Sequence, residues 1–94
     1  MTNNQFIRDY VRMNLDGKNG RLTAKDDKLF SYNTCIGERR GNKILVNITR
    51  YSMTTSTHRN QLIREAESWG MEIKKVDGIR MGAQHLDFNT AFAK

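Results

Sequence analysis

Two runs decide the fold of this chain. They are Lys28-Leu29-Phe30-Ser31-Tyr32-Asn33-Thr34-Cys35-Ile36-Gly37 and Lys43-Ile44-Leu45-Val46-Asn47-Ile48-Thr49-Arg50-Tyr51, parted by Glu38-Arg39-Arg40-Gly41-Asn42. Both are rich in β-branched and aromatic residues, and a turn-forming segment lies between them, so they read as the strands of an antiparallel hairpin. Register follows from burial, because a one-residue slip carries a strand's whole apolar set to the opposite face. A three-residue loop of Arg40, Gly41 and Asn42 pairs Ile36 with Val46 and Thr34 with Ile48, with Asn42 in the left-handed position. One face then gathers Phe30, Tyr32, Ile36, Ile44, Val46 and Ile48. The two-residue alternatives set Ile36 against Asn47 or Leu45 and mix apolar with polar on both faces. In the favoured register the other face carries Ser31, Asn33, Cys35, Asn47, Thr49 and Tyr51, which makes it wet or partner-facing.

Working outward, Phe6, Ile7, Tyr10, Val11 and Met13 fall on one helical stripe, which predicts a helix over 3–13 capped by Asn3 or Asn4 and finished by Leu15. Asp16, Gly17, Asn19 and Gly20 form a turn cluster. A short strand fits Arg21 to Ala24, and Asp26-Asp27 breaks the apolar pattern before the hairpin. After Tyr51, the hydroxyls of Ser52 to Thr57 lead into Leu62, Ile63, Ala66 and Trp69, a capped helix with Trp69 in the core and Gly70 as its left-handed stop. Met71 to Val76 reads as a strand, and Asp77-Gly78 as a hairpin returning through Ile79, Arg80 and Met81. Leu86, Phe88 and Phe92 close the chain in a tail too irregular to assign. The expected fold class is α+β: a helix, an antiparallel hairpin sheet, a second helix packed on one face, and short late strands.

The length of 94 residues fits one compact domain spanning 1–94. Sixteen Lys and Arg against ten Asp and Glu give a net charge of +6, so an anionic partner is favoured. Nucleic acid is the usual one for a small basic domain, since each neutralised phosphate releases counterions. No apolar run approaches membrane-spanning length and no charged-then-apolar leader opens the sequence. With a single cysteine, Cys35, the chain forms no internal disulfide, and a cytoplasmic location is expected.

Chemistry is sparse. A hydroxyl-rich run beside His58 is where a nucleophile would be sought, with Ser52 or Thr54 as the nucleophile of a small hydrolase, yet no third group to orient the imidazole and no Gly-x-Ser-x-Gly elbow accompany it. Capping hydroxyls and a first-turn histidine account for the same residues, so no enzyme activity and no catalytic residue are expected. His58 and His85 stand alone, at no ligand spacing, so neither metal nor other cofactor is expected. The glycines form no strand-loop-helix phosphate cradle. The cations are more informative. Arg39, Arg40 and Lys43 surround the hairpin tip, Lys74, Lys75 and Arg80 gather near the late strands, and Arg59 and Arg64 lie on the polar side of the second helix near its start. With Tyr51 to stack, these are the candidate contacts for nucleic acid or a nucleoprotein.

Ser31-Tyr32-Asn33-Thr34-Cys35-Ile36-Gly37, then Tyr51-Ser52-Met53-Thr54-Thr55-Ser56-Thr57-His58, resembles a small uncharacterised domain that recurs in bacteriophage and mobile-element proteins. Its pattern runs Ser-Tyr-x-Thr-x-Ile-Ala, a hairpin, then Tyr-Ser-x-Thr-Thr-x-x-His; Gly37 stands here where Ala is usual. The resemblance covers about a third of the chain and implies no catalytic residue. It implies a phage-type accessory protein in a bacterial host cytosol, whose kind often binds and blocks host machinery, as anti-CRISPR inhibitors do. A protein-only interaction module docking through Asn33, Asn47, Thr49 and Tyr51 is the alternative.

Overall fold

A computed structural model of the chain describes residues 1–84 and 86; His85, Phe88 and Phe92 lie outside the described residues. Helix α1 spans Asn3–Met13, and is followed by strands β1 (Gly17–Asn19), β2 (Leu22–Lys25), β3 (Lys28–Ser31), β4 (Thr34–Arg40) and β5 (Lys43–Asn47), helix α2 (Met53–Trp69) and strand β6 (Glu72–Val76). The six strands form one sheet in chain order. The first five run antiparallel through successive two-residue turns, and β6 joins β5 in parallel after the α2 crossover. The fold is α+β.

Thr2, one residue before the expected caps, starts α1 with a capping box: its hydroxyl accepts from Gln5 N, and the Gln5 side chain accepts from Thr2 N. Asn14 closes α1 in the left-handed conformation (φ 50°). Both helices lie on the same face of the sheet. Phe6, Ile7, Tyr10 and Val11 of α1 and Leu62 and Ala66 of α2 close a core with Leu22, Ala24, Leu29, Ile36, Ile44 and Val46.

The strand expected over 28–37 is two strands. Tyr32 adopts a positive φ of 57°, so 32–33 is a tight turn and Ser31 faces Thr34. The β4–β5 register also differs from expectation. Arg40 pairs with Lys43 and Gly37 with Val46, so the loop is the two residues Gly41-Asn42, and Gly41, not Asn42, holds the positive φ (61°). The physical reason is a bulge: Leu29 faces Gly37 while Phe30 faces Cys35, which leaves Ile36 as an extra residue in β4. Ile36 joins the helix-side core while Cys35 turns to the opposite face. Gly37 makes room for this, since a Cβ there would sit 2.7 Å from Leu62 Cδ2.

That opposite face is not wet. Cys35, Leu45 and Leu86 form a second buried cluster, with Phe30, Val76 and Ile79 against it. The segment after β6 straps across it instead of returning as a hairpin strand. Cys35 N donates to Ala83 O (2.8 Å), Gly82 N to Thr34 Oγ1 (2.8 Å), Ile79 N to Thr49 Oγ1 (3.0 Å) and Leu86 N to Glu38 Oε1 (3.3 Å). Trp69, expected in the core, is 52% exposed and lies under the Arg12 guanidinium at 5.1 Å.

Candidate functional site

The crossover from β5 through α2 to β6 brings the end of β5, the start of α2 and the chain leaving β6 together at one end of the sheet. Ile48 N donates to Val76 O (2.7 Å), and Tyr51 Oη donates to Ile79 O (2.6 Å) while accepting from Asn47 Nδ2 (2.9 Å). Ser52 caps α2 by accepting from Thr55 N (3.2 Å). Beside this junction lies a groove of about 500 Å³, lined by Arg50, Tyr51, Ser52, Met53, Ser56, Thr57, Arg59 and Asn60. Two guanidinium groups, three hydroxyl side chains besides Tyr51 and no carboxylate face it. Arg59 is held in place, with Nη1 donating to Ile48 O (3.1 Å) and Nε and Nη2 to Asn60 Oδ1 (3.3 and 3.2 Å), which leaves N–H groups of its fork for a ligand. Arg50 is exposed and has no side-chain partner among the described residues. Arg80 is exposed and follows directly on the Ile79 carbonyl that Tyr51 grips.

The remaining expected contacts do not gather here. Arg64 stands twelve positions after the Ser52 cap, roughly 18 Å along the axis, and about 140° around the helix from Arg59. Lys74 and Lys75 are both exposed but alternate across β6, paired with Leu45 and Val46 respectively, so they point to opposite faces of an edge strand. At the β4–β5 tip, Arg40 Nη2 pairs with Glu38 Oε2 at 2.5 Å and Lys43 Nζ with Glu72 Oε2 at 3.5 Å. Arg39 is half-buried on the helix side, opposite Ile44. The tip is therefore less cationic than its sequence. Tyr51 contributes its ring to the groove, but its hydroxyl is engaged internally. The docking face of Asn33, Asn47, Thr49 and Tyr51 is spent on the strap: Asn47 is buried, and Thr49 Oγ1 and the Asn33 carbonyl accept from Ile79 N and Gln84 Nε2. Arg50, at the strand-to-helix junction, is the groove residue that charge clustering in the sequence did not single out.

His58 lies in the second turn of α2, not the first, and is 3% exposed. Its Nε2 accepts from Asn3 Nδ2 (3.4 Å), which leaves Nδ1–H to donate to Ser31 Oγ (2.8 Å). Ser31 Oγ is 3.3 Å from Thr55 Oγ1, to which Ser52 Oγ donates (3.1 Å). The structure thus brings Ser31, not Ser52 or Thr54, to the imidazole, and brings it as the acceptor of the ring proton, whereas a general base must accept from its nucleophile. Burial, with a smaller contribution from Arg21, lowers the His58 pKa below the usual histidine value. Among the described residues no three His, Cys, Asp or Glu side chains gather to hold a metal ion, and no helix is long and apolar enough to cross a membrane.

Residues 2–78 match a family of unknown function (DUF8033), and the chain belongs to that family. No curated protein and no solved structure matches it.

Proposed function

We propose that this chain, a member of a family without an assigned activity, is a non-catalytic protein that binds the phosphate backbone of a nucleic acid, free or within a nucleoprotein. The observation that carries this is the groove at the start of α2, where Arg50 and Arg59 stand among hydroxyl side chains with no carboxylate in the lining. Guanidinium forks match phosphate oxygens in geometry as well as charge, and hydroxyls add neutral donors to the same oxygens. The net charge of +6 supports attraction over a longer range. Arg80, beside the Tyr51 anchor, extends the cationic surface. In the phage or mobile-element setting that the sequence resemblance implies, such binding would act by occluding a host nucleoprotein.

Fluorescence anisotropy with a single-stranded oligonucleotide, titrated across salt concentrations, tests this. The logarithm of affinity falls linearly with the logarithm of salt at a slope of roughly −0.7 per phosphate contact, and the paired change Arg50→Ala with Arg59→Ala reduces that slope by about 1.4. Replacing Arg40 and Lys43, already paired with Glu38 and Glu72, changes it less. No detectable binding of DNA or RNA at about 50 mM salt, where such contacts are strongest, refutes the proposal and leaves a protein-only interaction in its place.

A further inference from the structure

Strand β6 ends the sheet, and no described strand lies beyond it. Its bonds to β5 fix which of its backbone groups are left over. Glu72 N donates to Asn42 O (3.0 Å) and Val76 O accepts from Ile48 N (2.7 Å), so in this parallel ladder Glu72, Lys74 and Val76 are the residues that bond to β5. The N–H and C=O of Ile73 and Lys75, and the C=O of Met71, point away along the open edge; Met71 N is already given to Ala66 O (3.0 Å). Such a row of groups is a template for another strand.

The side chains alternate with the same period. Ile73 packs with the helix-side core and Val76 with the strap-side cluster, so Glu72 and Lys74 lie on the strap side and Lys75 on the helix side. Glu72, Lys74 and Lys75 are exposed, while Ile73, and Ile63 of α2 against the same core, are only half-buried. Lysines on an edge strand usually repel a second strand. Here the order Glu72-Ile73-Lys74 complements its own reverse.

A two-fold axis normal to the sheet sets a copy of β6 antiparallel to the first and keeps the helices of both copies on one face. Residues that oppose each other then share a face, so the axis passes through a residue: Glu72, Ile73, Lys74 or Lys75. At Glu72, Lys74 or Lys75 that residue meets its own like charge directly opposite, which is destabilising. At Ile73 an apolar pair sits on the axis, and each Glu72 faces Lys74 of the copy in a non-hydrogen-bonded pair, where side chains come closest. The backbone agrees with this register: Ile73 exchanges both of its edge bonds with its counterpart, and each Lys75 N donates to Met71 O of the copy. Glu72, which Lys43 Nζ approaches at 3.5 Å, keeps its carboxylate mostly exposed and can face a second cation. We propose that β6 is the interface of an isologous homodimer, in which a second copy of this chain continues the sheet across Ile73 and Glu72 of each copy pairs with Lys74 of the other. The proposal does not depend on nucleic-acid binding.

Sedimentation equilibrium tests it, from about 10 µM to about 1 mM because an edge-to-edge contact is small, and at about 0.15 M salt to screen the like net charge of the copies. The mass should rise from 10.9 kDa toward twice that value. Glu72→Lys and Lys74→Glu each set like charges opposite and should remain monomeric. Mixed in equal amounts they should form a heterodimer, because positions 72 and 74 are then complementary between the two chains. Lys75→Pro removes an N–H that makes no bond to β5 and should weaken the association too. All three changed side chains are exposed, so circular dichroism of each variant should match the parent. In the parent, exchange of the Ile73 and Lys75 amides should slow as concentration rises, while the Lys74 amide, bonded to β5, is protected throughout. A parent that stays monomeric up to about 1 mM overturns the proposal. A dimer that persists in both charge variants, or that Lys75→Pro leaves unchanged, places the interface elsewhere and overturns it. A mixture of the charge variants that stays monomeric overturns the register. Protection of the Ile73 and Lys75 amides in the dilute monomer overturns it as well, since the edge is then covered within one chain.

Discussion

Asn47→Asp discriminates between a sheet with one open face and a sheet buried on both. Asn47 is 1% exposed, and all of its side chain's capacity is engaged with the strap side: Nδ2 donates to Cys35 O (3.0 Å) and Tyr51 Oη (2.9 Å), and Oδ1 accepts from Thr49 N (3.0 Å). An aspartate preserves the shape and the bond from Thr49, but removes both donations and sets a carboxylate oxygen against the Cys35 carbonyl. Two orphaned acceptors at about 1 kcal/mol each, with several more for a charge deprived of water, give a loss of about 3–5 kcal/mol at neutral pH. That is a large share of the roughly 5–14 kcal/mol expected of a domain of this length. Burial raises the new carboxyl's folded pKa above its unfolded value near 3.9, so the destabilisation is present above that pH and shrinks on acidification, where a protonated carboxyl can donate to the Cys35 carbonyl again. Urea unfolding followed by circular dichroism at pH 7 and pH 4 measures both. The Asn47→Asp midpoint should fall by about 2 M at pH 7 for a typical slope near 1.5–2 kcal/mol/M, and the gap to the parent should narrow at pH 4. Val46→Asp, on the helix side of the same strand, should cost a comparable amount, since Val46 is also fully buried. A loss below about 0.5 kcal/mol for Asn47→Asp, or one unchanged between the two pH values, would refute the burial of this face.

Two other titratable groups give expectations of their own. His58 has a folded pKa lowered by burial, so its contribution to stability is complete above the unfolded value near 6.5 and is lost as the pH falls below it; thermal melts between pH 7.5 and 5 should show this loss, and His58→Gln should flatten it. Cys35 is fully buried, and burial first, then the nearby Glu38 carboxylate, pushes its thiol up to about 12. Native protein at pH 8 should therefore react with a disulfide reagent only as fast as it opens, and prompt labelling without denaturant would contradict the closed strap.

Local signals carried the elements that depend on them. The apolar stripe of α1, the hydroxyl start and Gly70 stop of α2, and the strand at 72–76 were all legible, because caps and amphipathic periods are written within a few residues. The turn at Tyr32-Asn33 was not, since an aromatic residue at positive φ is no turn signal; the Arg21–Tyr32 stacking at 5.4 Å and the Tyr32 N to Arg21 O bond (2.8 Å) that accompany it are long-range. Nor was the burial of Ser31, Asn47 and His58, whose polarity suggests water until their partners are known: Ser31 and His58 bond to each other, and Asn47 bonds to Cys35 O, Tyr51 Oη and Thr49 N. The cationic tip was legible as a cluster, but not the carboxylates of Glu38 and Glu72 that meet Arg40 and Lys43. Arg50 was hidden for the converse reason: it is isolated in sequence, and only the crossover brings it beside Arg59.

The single extra residue in β4 explains most of these differences together. Strict alternation from Cys35 on the strap side would send Gly37 and Arg39 to the strap side as well and turn Glu38 toward the helices. The bulge at Ile36 reverses that phase. Glu38 then lies on the strap side, where its carboxylate accepts from Leu86 N, and Arg39 lies on the helix side, where Tyr10 and Asp27 frame it. The bulge is tolerated because the residue after it is glycine: both Ile36 and position 37 face the helices, and only a residue without Cβ fits under Leu62. An apolar alternation score has no means of registering this, since Gly37 contributes nothing to either face. The placement of every charge between Gly37 and the hairpin tip thus follows from a packing event between β4 and α2, elements that are 12 residues apart in sequence.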